Sequence, residues 1–322
     1  MAEDCKLSIV VACRNDDHGG EFLQRARIFV YGLTILARKY NLLAELIFVD
    51  WNPPEDRPPF SQALDWDTKG PLKFRFVQVP GEIHRKLKNF DVINLHQMIA
   101  KNVGIRRARA PFVLATNMDL LFSEELIQFL AQSPLDDSCM YRIDRLDVPA
   151  AIPEADIENQ LQWCQNNVIR THIRNGGTIN RSDSRRRKEK IRKLPSQLIA
   201  HTNGSGDFTL MAKDAWERVR GYLEIPYFCL HLDGLLCLMA IGHGVKEQVL
   251  EEPMCLYHID HGLGWASLSF REQLQFFAQK PWLDYSFIND VNDSIAQGKV
   301  PELRNNNDWG LLHENLHEEE LN

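Results

Sequence analysis

The chain has 322 residues, 44% hydrophobic and 25% charged, with a formal net charge of −7. That suits one large α/β domain, or two smaller ones, with a substantial buried core. The acidic balance argues against a nucleic-acid binder, which needs an excess of Lys and Arg to displace counterions, while leaving small anionic ligands open.

Residues 6–13 (KLSIVVAC) form an apolar run broken by Arg14-Asn15-Asp16-Asp17, which predicts a buried parallel strand emptying into a polar loop. Phe22, Ala26, Phe29, Val30, Leu33, Leu36 and Ala37 recur at a helical period, so residues 21–40 read as a helix. Residues 44–50 (AELIFVD) are a second strand stopped by Trp51-Asn52-Pro53-Pro54, and this β-α-β opening favours a parallel sheet. After a Pro-rich loop come a strand at 72–79, a helix at 92–109 and, past Pro111, a strand at 112–116. That strand ends in Asn117-Met118-Asp119, and Ser123 starts a helix.

A strand at 140–143 and a helix at 155–169 follow. Residues 170–193 turn polar and basic, with Arg185, Arg186, Arg187, Lys188, Lys190, Arg192 and Lys193, and are expected to be a loop or mobile lid. They read either as a solvated charge run or as a segment closing over a diphosphate or an anionic surface. Beyond His201 the pattern gives a strand at 208–211, helices at 213–220, 231–241 and 270–278, and a strand near 256–258. The acidic tail 313–320 is expected to fray.

Seven cysteines stand singly without C-x-x-C spacing, so neither a disulfide framework nor a zinc site is expected, and a reducing compartment fits. Residues 1–6 lack a charged-then-apolar leader, and no stretch approaches the roughly 20 apolar residues of a membrane span. The expectation is a soluble, cytoplasmic protein.

Neither G-x-G-x-x-G nor G-x-x-x-x-G-K-[ST] occurs at the first strand, which counts against a Rossmann oxidoreductase and a P-loop enzyme. The ordered set Ile9 to Asp16, Phe48-Val49-Asp50, Lys101-Asn102-Val103-Gly104 to Ala108, Asn117-Met118-Asp119, Gly204-Ser205-Gly206-Asp207 and His231-Leu232-Asp233 resembles GT-A fold glycosyltransferases. The likeness is to the inverting family-two type and the C-terminal region of galactosyltransferases, and it covers most of the chain. It implies an α/β GT-A fold with a mainly parallel central sheet, as one continuous domain. Residues 1–150 would be its nucleotide-sugar half, 151–200 a flexible basic insertion and 201–322 the acceptor half and tail.

The resemblance implies transfer of a sugar from a nucleoside diphosphate donor, a UDP-sugar, to a hydroxyl acceptor, assisted by Mn²⁺ or Mg²⁺, with inversion. Donor contacts would come from Arg14, Asp16, Asp50, Lys101, Asn102, Asn117 and Met118, and sugar or acceptor contacts from Gly204, Ser205, Gly206, Asp207 and His231. Asp119 and His258 would hold the metal, with His261 a near competitor, and Asp233 would be the base. Asn117 stands where the family's DxD signature has its first acid, leaving one anionic ligand there.

Structural roles stand beside these. Asp50 can end a strand in a turn, Asp233 can cap a helix, Asp207 can cap a turn, His258 can be a core histidine and Arg14 can pair with Asp16 or Asp17. The aromatic stretch from Trp265 to Trp282 reads as packing, and Asn305 to Gly310 as a docking loop or an acceptor contact. The rival functions are a nucleotidyltransferase, disfavoured by the acidic loop after the first strand, and a non-catalytic nucleotide-sugar binder.

Overall fold

The apolar run near the N-terminus folds as β1 (Leu7–Cys13), with all seven residues buried, and the second run as β2 (Ala44–Trp51), buried throughout. The computed structural model describes residues 5–261 and 269–321. Between β1 and β2 lies α1 (Phe22–Tyr40), which ends where Asn41 turns left-handed and its N–H reaches Ala37 O and Arg38 O. Then come β3 (Leu72–Val79), the short α2 (Gly81–His84), α3 (Gln97–Arg107) and β4 (Phe112–Thr116). Gly104 lets α3 lie directly on β1 and β2, since a Cβ there would collide with Val10 and crowd Val49 at 3.0 Å.

The chain continues through β5 (Leu120–Phe122), α4 (Glu124–Gln132), β6 (Cys139–Ile143), β7 (Arg145–Pro149) and α5 (Ile157–Asn166). As Ser123 predicts, its hydroxyl caps α4 by accepting from Leu126 N at 3.2 Å. Next are β8 (Arg170–His172), β9 (Thr178–Asn180), α6 (Arg185–Arg192), β10 (Phe208–Ala212), α7 (Lys213–Val219) and α8 (Leu232–Gly242). Last come β11 (Lys246–Leu250), β12 (Leu256–Asp260), α9 (Phe270–Gln279), α10 (Tyr285–Ala296) and β13 (His317–Leu321). No described helix is long and apolar enough to cross a membrane.

The fold is α/β with two sheets, ordered β11-β6-β10-β4-β1-β2-β3-β13 and β5-β12-β7-β8-β9. The larger sheet is mixed, where the sequence suggested mainly parallel: β4-β1-β2-β3 and β6-β11 are parallel, but β10 and β13 run against their neighbours. Strand order reverses between β1 and β4, since the chain goes outward through β2 and β3 and returns by α3 to the other side of β1. In open α/β sheets a crevice for ligands forms at the carboxyl end of such a switch point.

Two expectations fail. Residues 170–193 are not an unstructured loop but a β8–β9 hairpin followed by α6, which buries no residue of its own. The acidic tail does not fray either. It becomes β13 on the edge of β3, where Glu318 meets Arg75 at 3.0 Å and Arg107 at 3.3 Å, and Glu320 meets Arg109 at 3.1 Å. Asn305 to Gly310 is a docking loop: Asn305 donates to Arg220 O and Tyr222 O, and Trp309 is buried beneath Arg106. Phe276, Phe277 and Trp282 pack with Phe228 and one another, and Trp265 lies outside the described residues.

One buried ion pair holds this edge. Glu45 accepts from Arg75 Nη1 at 2.6 Å, Ser8 Oγ at 2.5 Å and Arg109 N at 2.6 Å. Removing the carboxylate strands a buried guanidinium, so Glu45→Ala is expected to lower unfolding free energy in urea by about 3 kcal/mol. A loss within experimental error would show that Glu318 alone satisfies Arg75.

Candidate functional site

The register of the smaller sheet builds one centre. His258 on β12 lies opposite Asp147 on β7 and Leu120 on β5, so it shares a face with Asp147 beside the residue that follows Asp119. Ile259 N donates to Asp119 O at 2.8 Å, which fixes the link from β4 to β5. Asp119 Oδ2 then stands 3.5 Å from His258 Nε2 and 3.1 Å from His261 Nε2. One ligand atom from each of these residues lies within 4.8 Å of the others, a grouping able to hold a metal ion.

Asp147, fully buried, lies behind the cluster. Its carboxylate faces His258 Nδ1 at 3.2 Å, Arg145 Nε and His172 Nε2 each at 3.0 Å, and Arg170 Nε at 2.8 Å. Burial alone would raise its pKa, but hydrogen bonds with His172 and His258 and the Arg145 charge hold it far below the usual carboxylate range. Asp119 is lowered likewise, its burial outweighed by His258 and His261. Against its own desolvation, His258 is pushed up to about 10 by Asp119 and Asp147. The carboxylates and His258 thus favour one another's charged forms.

Across the crevice, Asp207 ends the glycine loop just before β10. It accepts from Asn117 Nδ2 at 2.7 Å and Arg145 Nη1 at 2.9 Å, while Gln97 Nε2 donates to Asn117 Oδ1 at 2.9 Å. Gly206 N donates to Asp233 Oδ2 at 2.7 Å, and a Cβ on Gly206 would meet that oxygen at 3.2 Å. Lys101, fully buried, donates to Gly206 O at 2.7 Å, and burial lowers its pKa against the pull of Asp207, Asp233 and Asp119. Asn117, Asp119, Asp207, Gly206, Asp233, Lys101 and His258 thus converge on the carboxyl edge of β4.

Asp50, Arg14 and Asp16 lie farther along that edge, at β2 and β1. Asp50 Oδ2 accepts from Phe60 N at 2.8 Å, and its buried Oδ1 has no partner among the described residues. Arg14 binds Asn52 O at 2.7 Å and Asp16 at 2.5 Å, the ion-pair alternative. Three expected contacts are turned to structural work. Asn102 is buried with its amide engaged by Tyr222 and Glu224, Met118 packs in the core, and Ser205 donates to Thr202 O. Gly204 adopts a φ of +61° against Arg145.

His231, left-handed at the N-cap of α8, has its ring 5.1 Å from Tyr285 and 5.8 Å from Trp282. It lines a cavity of about 190 Å³ with Asp233, Thr202, Arg174 and Gly176. A second cavity of about 450 Å³ is lined by Gly19, Arg25, Asp260 and His261. The sequence reading missed Arg145, Asp147, Arg170 and His172, and it missed Arg142, which donates to His201 O and Asn203 O and so fixes the glycine loop. No family model matches the sequence, and no curated protein matches it.

Burial pushes the Asp50 carboxyl up to about 6, against the Phe60 N–H and the Arg14 charge. The folded chain keeps this proton to higher pH than the unfolded chain, so the group's contribution to stability is lost as pH rises from about 4 through 6. Asp50→Asn removes that loss. The variant is expected to exceed the wild type by about 3 kcal/mol near neutral pH and by almost nothing below pH ~4. Parallel pH profiles in denaturant titrations would contradict this.

Proposed function

We propose that the chain is a GT-A fold glycosyltransferase that moves a sugar from a UDP-type donor to a hydroxyl acceptor with inversion, and that it acts in the cytoplasm. The observation that carries the reading is a row of buried oxygens without a hydrogen-bond partner among the described residues, at the carboxyl ends of β1, β2 and β4: Asn15 Oδ1, Asp50 Oδ1 and Asp119 Oδ1. Buried polar atoms are normally satisfied, and a row of exceptions along a switch-point crevice suits a polar ligand lying in it. Asp50 would face the base, and the Asn117 to Asp119 link would face the diphosphate.

Asp119, His258 and His261 would hold a divalent cation, and among the described residues Asp119 Oδ1 and His261 Nδ1 have no hydrogen-bond partner. Two imidazoles with one carboxylate suit Mn²⁺ better than Mg²⁺, which prefers oxygen alone. When bound, the cation supplies positive charge to the departing diphosphate. Asp233 lies across the crevice, its carboxylate held by Gly206 N at 2.7 Å on the wall of the smaller cavity. There it takes the proton of the acceptor hydroxyl. The acceptor oxygen forms its bond to the anomeric carbon as the bond from that carbon to the diphosphate oxygen breaks, and the diphosphate leaves with the electron pair.

UDP with Mn²⁺ is expected to raise the thermal midpoint of the wild type, by an amount that grows with ligand concentration. Asp119→Asn should erase the Mn²⁺-dependent part. No shift with UDP, with or without Mn²⁺, would overturn the reading. Asp147→Asn keeps the shape but weakens the grip on His258, so Mn²⁺ affinity by calorimetric titration should fall about 10- to 100-fold. Unchanged affinity would remove Asp147 from the support of the centre.

A further inference from the structure

The charge of this chain is segregated. Residues 181–193 carry eight Lys or Arg against Asp183 and Glu189, within a protein of net charge −7. They form α6 and its flanks, where Ile191 turns inward: a Cβ on Gly177 would meet it at 2.7 Å. Arg186, Lys190 and Lys193, spaced by four and three residues, share the opposite, exposed face. Arg185 pairs with Glu189 and Arg187 with Asp183, but among the described residues Arg186, Lys190, Arg192 and Lys193 have no acidic partner.

This helix is stitched to the rim of the Asp233 cavity. The hairpin turn that lines the cavity through Arg174 and Gly176 also contains Asn175, whose Nδ2 donates to Ile191 O at 2.7 Å and Leu194 O at 3.0 Å. Gln197, on the segment leaving α6, lines the same cavity. Arg174 itself is engaged by Glu247 at 2.8 Å and by Ile199 O, so free positive charge at this mouth belongs to α6. Inside, His231 and Tyr285 give an aromatic wall next to a carboxylate, a surface suited to a sugar ring and its hydroxyls.

We propose that the Asp233 cavity and α6 form one binding site for an acidic oligosaccharide, which is the acceptor in the reading above and rests on it for that role. The terminal sugar enters the cavity, and the anionic groups of the following residues lie along Arg192, Lys193, Lys190 and Arg186. The eight residues of α6 span about 12 Å, enough to meet several charges in a row. A membrane surface fits less well, because an interfacial helix buries an apolar face and the single apolar side chain of α6 is turned inward.

The test is calorimetric titration of the full chain with a hexuronic acid oligosaccharide and with an uncharged hexose oligomer of equal length. The charged oligomer is expected to bind, more weakly as salt rises, and the neutral one to bind at least about tenfold more weakly. The triple variant Arg186→Gln, Lys190→Gln, Lys193→Gln, altered only on an exposed face, should lose about tenfold in affinity. It should keep the UDP and Mn²⁺ thermal shift. Tyr285→Ala should weaken binding severalfold through loss of the cavity wall.

Equal binding of the neutral oligomer, an unaffected triple variant or an unaffected Tyr285→Ala would each overturn the proposal. So would tighter binding to phosphatidylserine vesicles or to an oligonucleotide than to the hexuronate. Charge-dependent hexuronate binding without any UDP shift would support the site and sink the glycosyltransferase reading.

Discussion

The guanidinium of Arg145 joins the two sheets, and the candidate site depends on that joint. It stands 3.0 Å from Asp147 on its own strand and 2.9 Å from Asp207 at the mouth of β10 in the larger sheet. Both carboxylates are almost fully buried, and each would be costly there without this shared counter-charge. Asp147 reaches onward to His258, and Asp207 to Asn117, so one planar cation sets the separation of the crevice walls. A lysine would supply the charge but not the fork that meets two acids at once.

Around that cation the balance of charge stays unequal. Asp119, Asp147, Asp207 and Asp233 lie near Arg145, Lys101 and the half-exposed Arg170, which also serves Asp260. The His258 shift has the same origin, since Asp119 and Asp147 raise its pKa against the desolvation that ordinarily lowers a buried imidazole. One cavity is lined by His261 and the other by Asp233.

In the large sheet β1, β2 and β4 were legible because each is a continuous buried apolar run with a polar stop, and each lies within a residue or two of its expected bounds, whereas β11 and β13 are polar and went unread. Of the smaller sheet, β12 was anticipated by the strand expected near 256–258, and the other strands were not. Its β7, β8 and β9 are three to five residues long, and their sequences Arg-Leu-Asp-Val-Pro, Arg-Thr-His and Thr-Ile-Asn are too short and too polar to show a period. Asp147 was illegible for a related reason: its partners His172 and His258 come from strands 25 and 111 residues away, and only pairing register brings them together. The acidic tail was misread because the arginines that neutralise it lie on β3 and near the end of α3, some 200 residues earlier. Asp119 and Asp233 were legible because each sits where a strand or helix starts or stops, a position that sequence marks directly.

The reversed strand β10 explains why a mixed sheet suits this site better than a parallel one. A parallel neighbour of β4 would bring its own carboxyl end to the crevice and send the preceding loop to the far edge. Because β10 runs antiparallel, with Phe208 opposite Thr116, the loop before it arrives at the carboxyl end of β4. That loop contains Gly204, Gly206 and Asp207, and it meets Asn117 and Asp233 there with no chain crossing the sheet. The register is closed by Thr116 Oγ1 donating to Asp207 O at 2.6 Å, and Arg142, from the next strand β6, grips the loop from beneath. The reversal is therefore the topological step that places a backbone loop opposite the end of β4, within reach of both walls of the crevice.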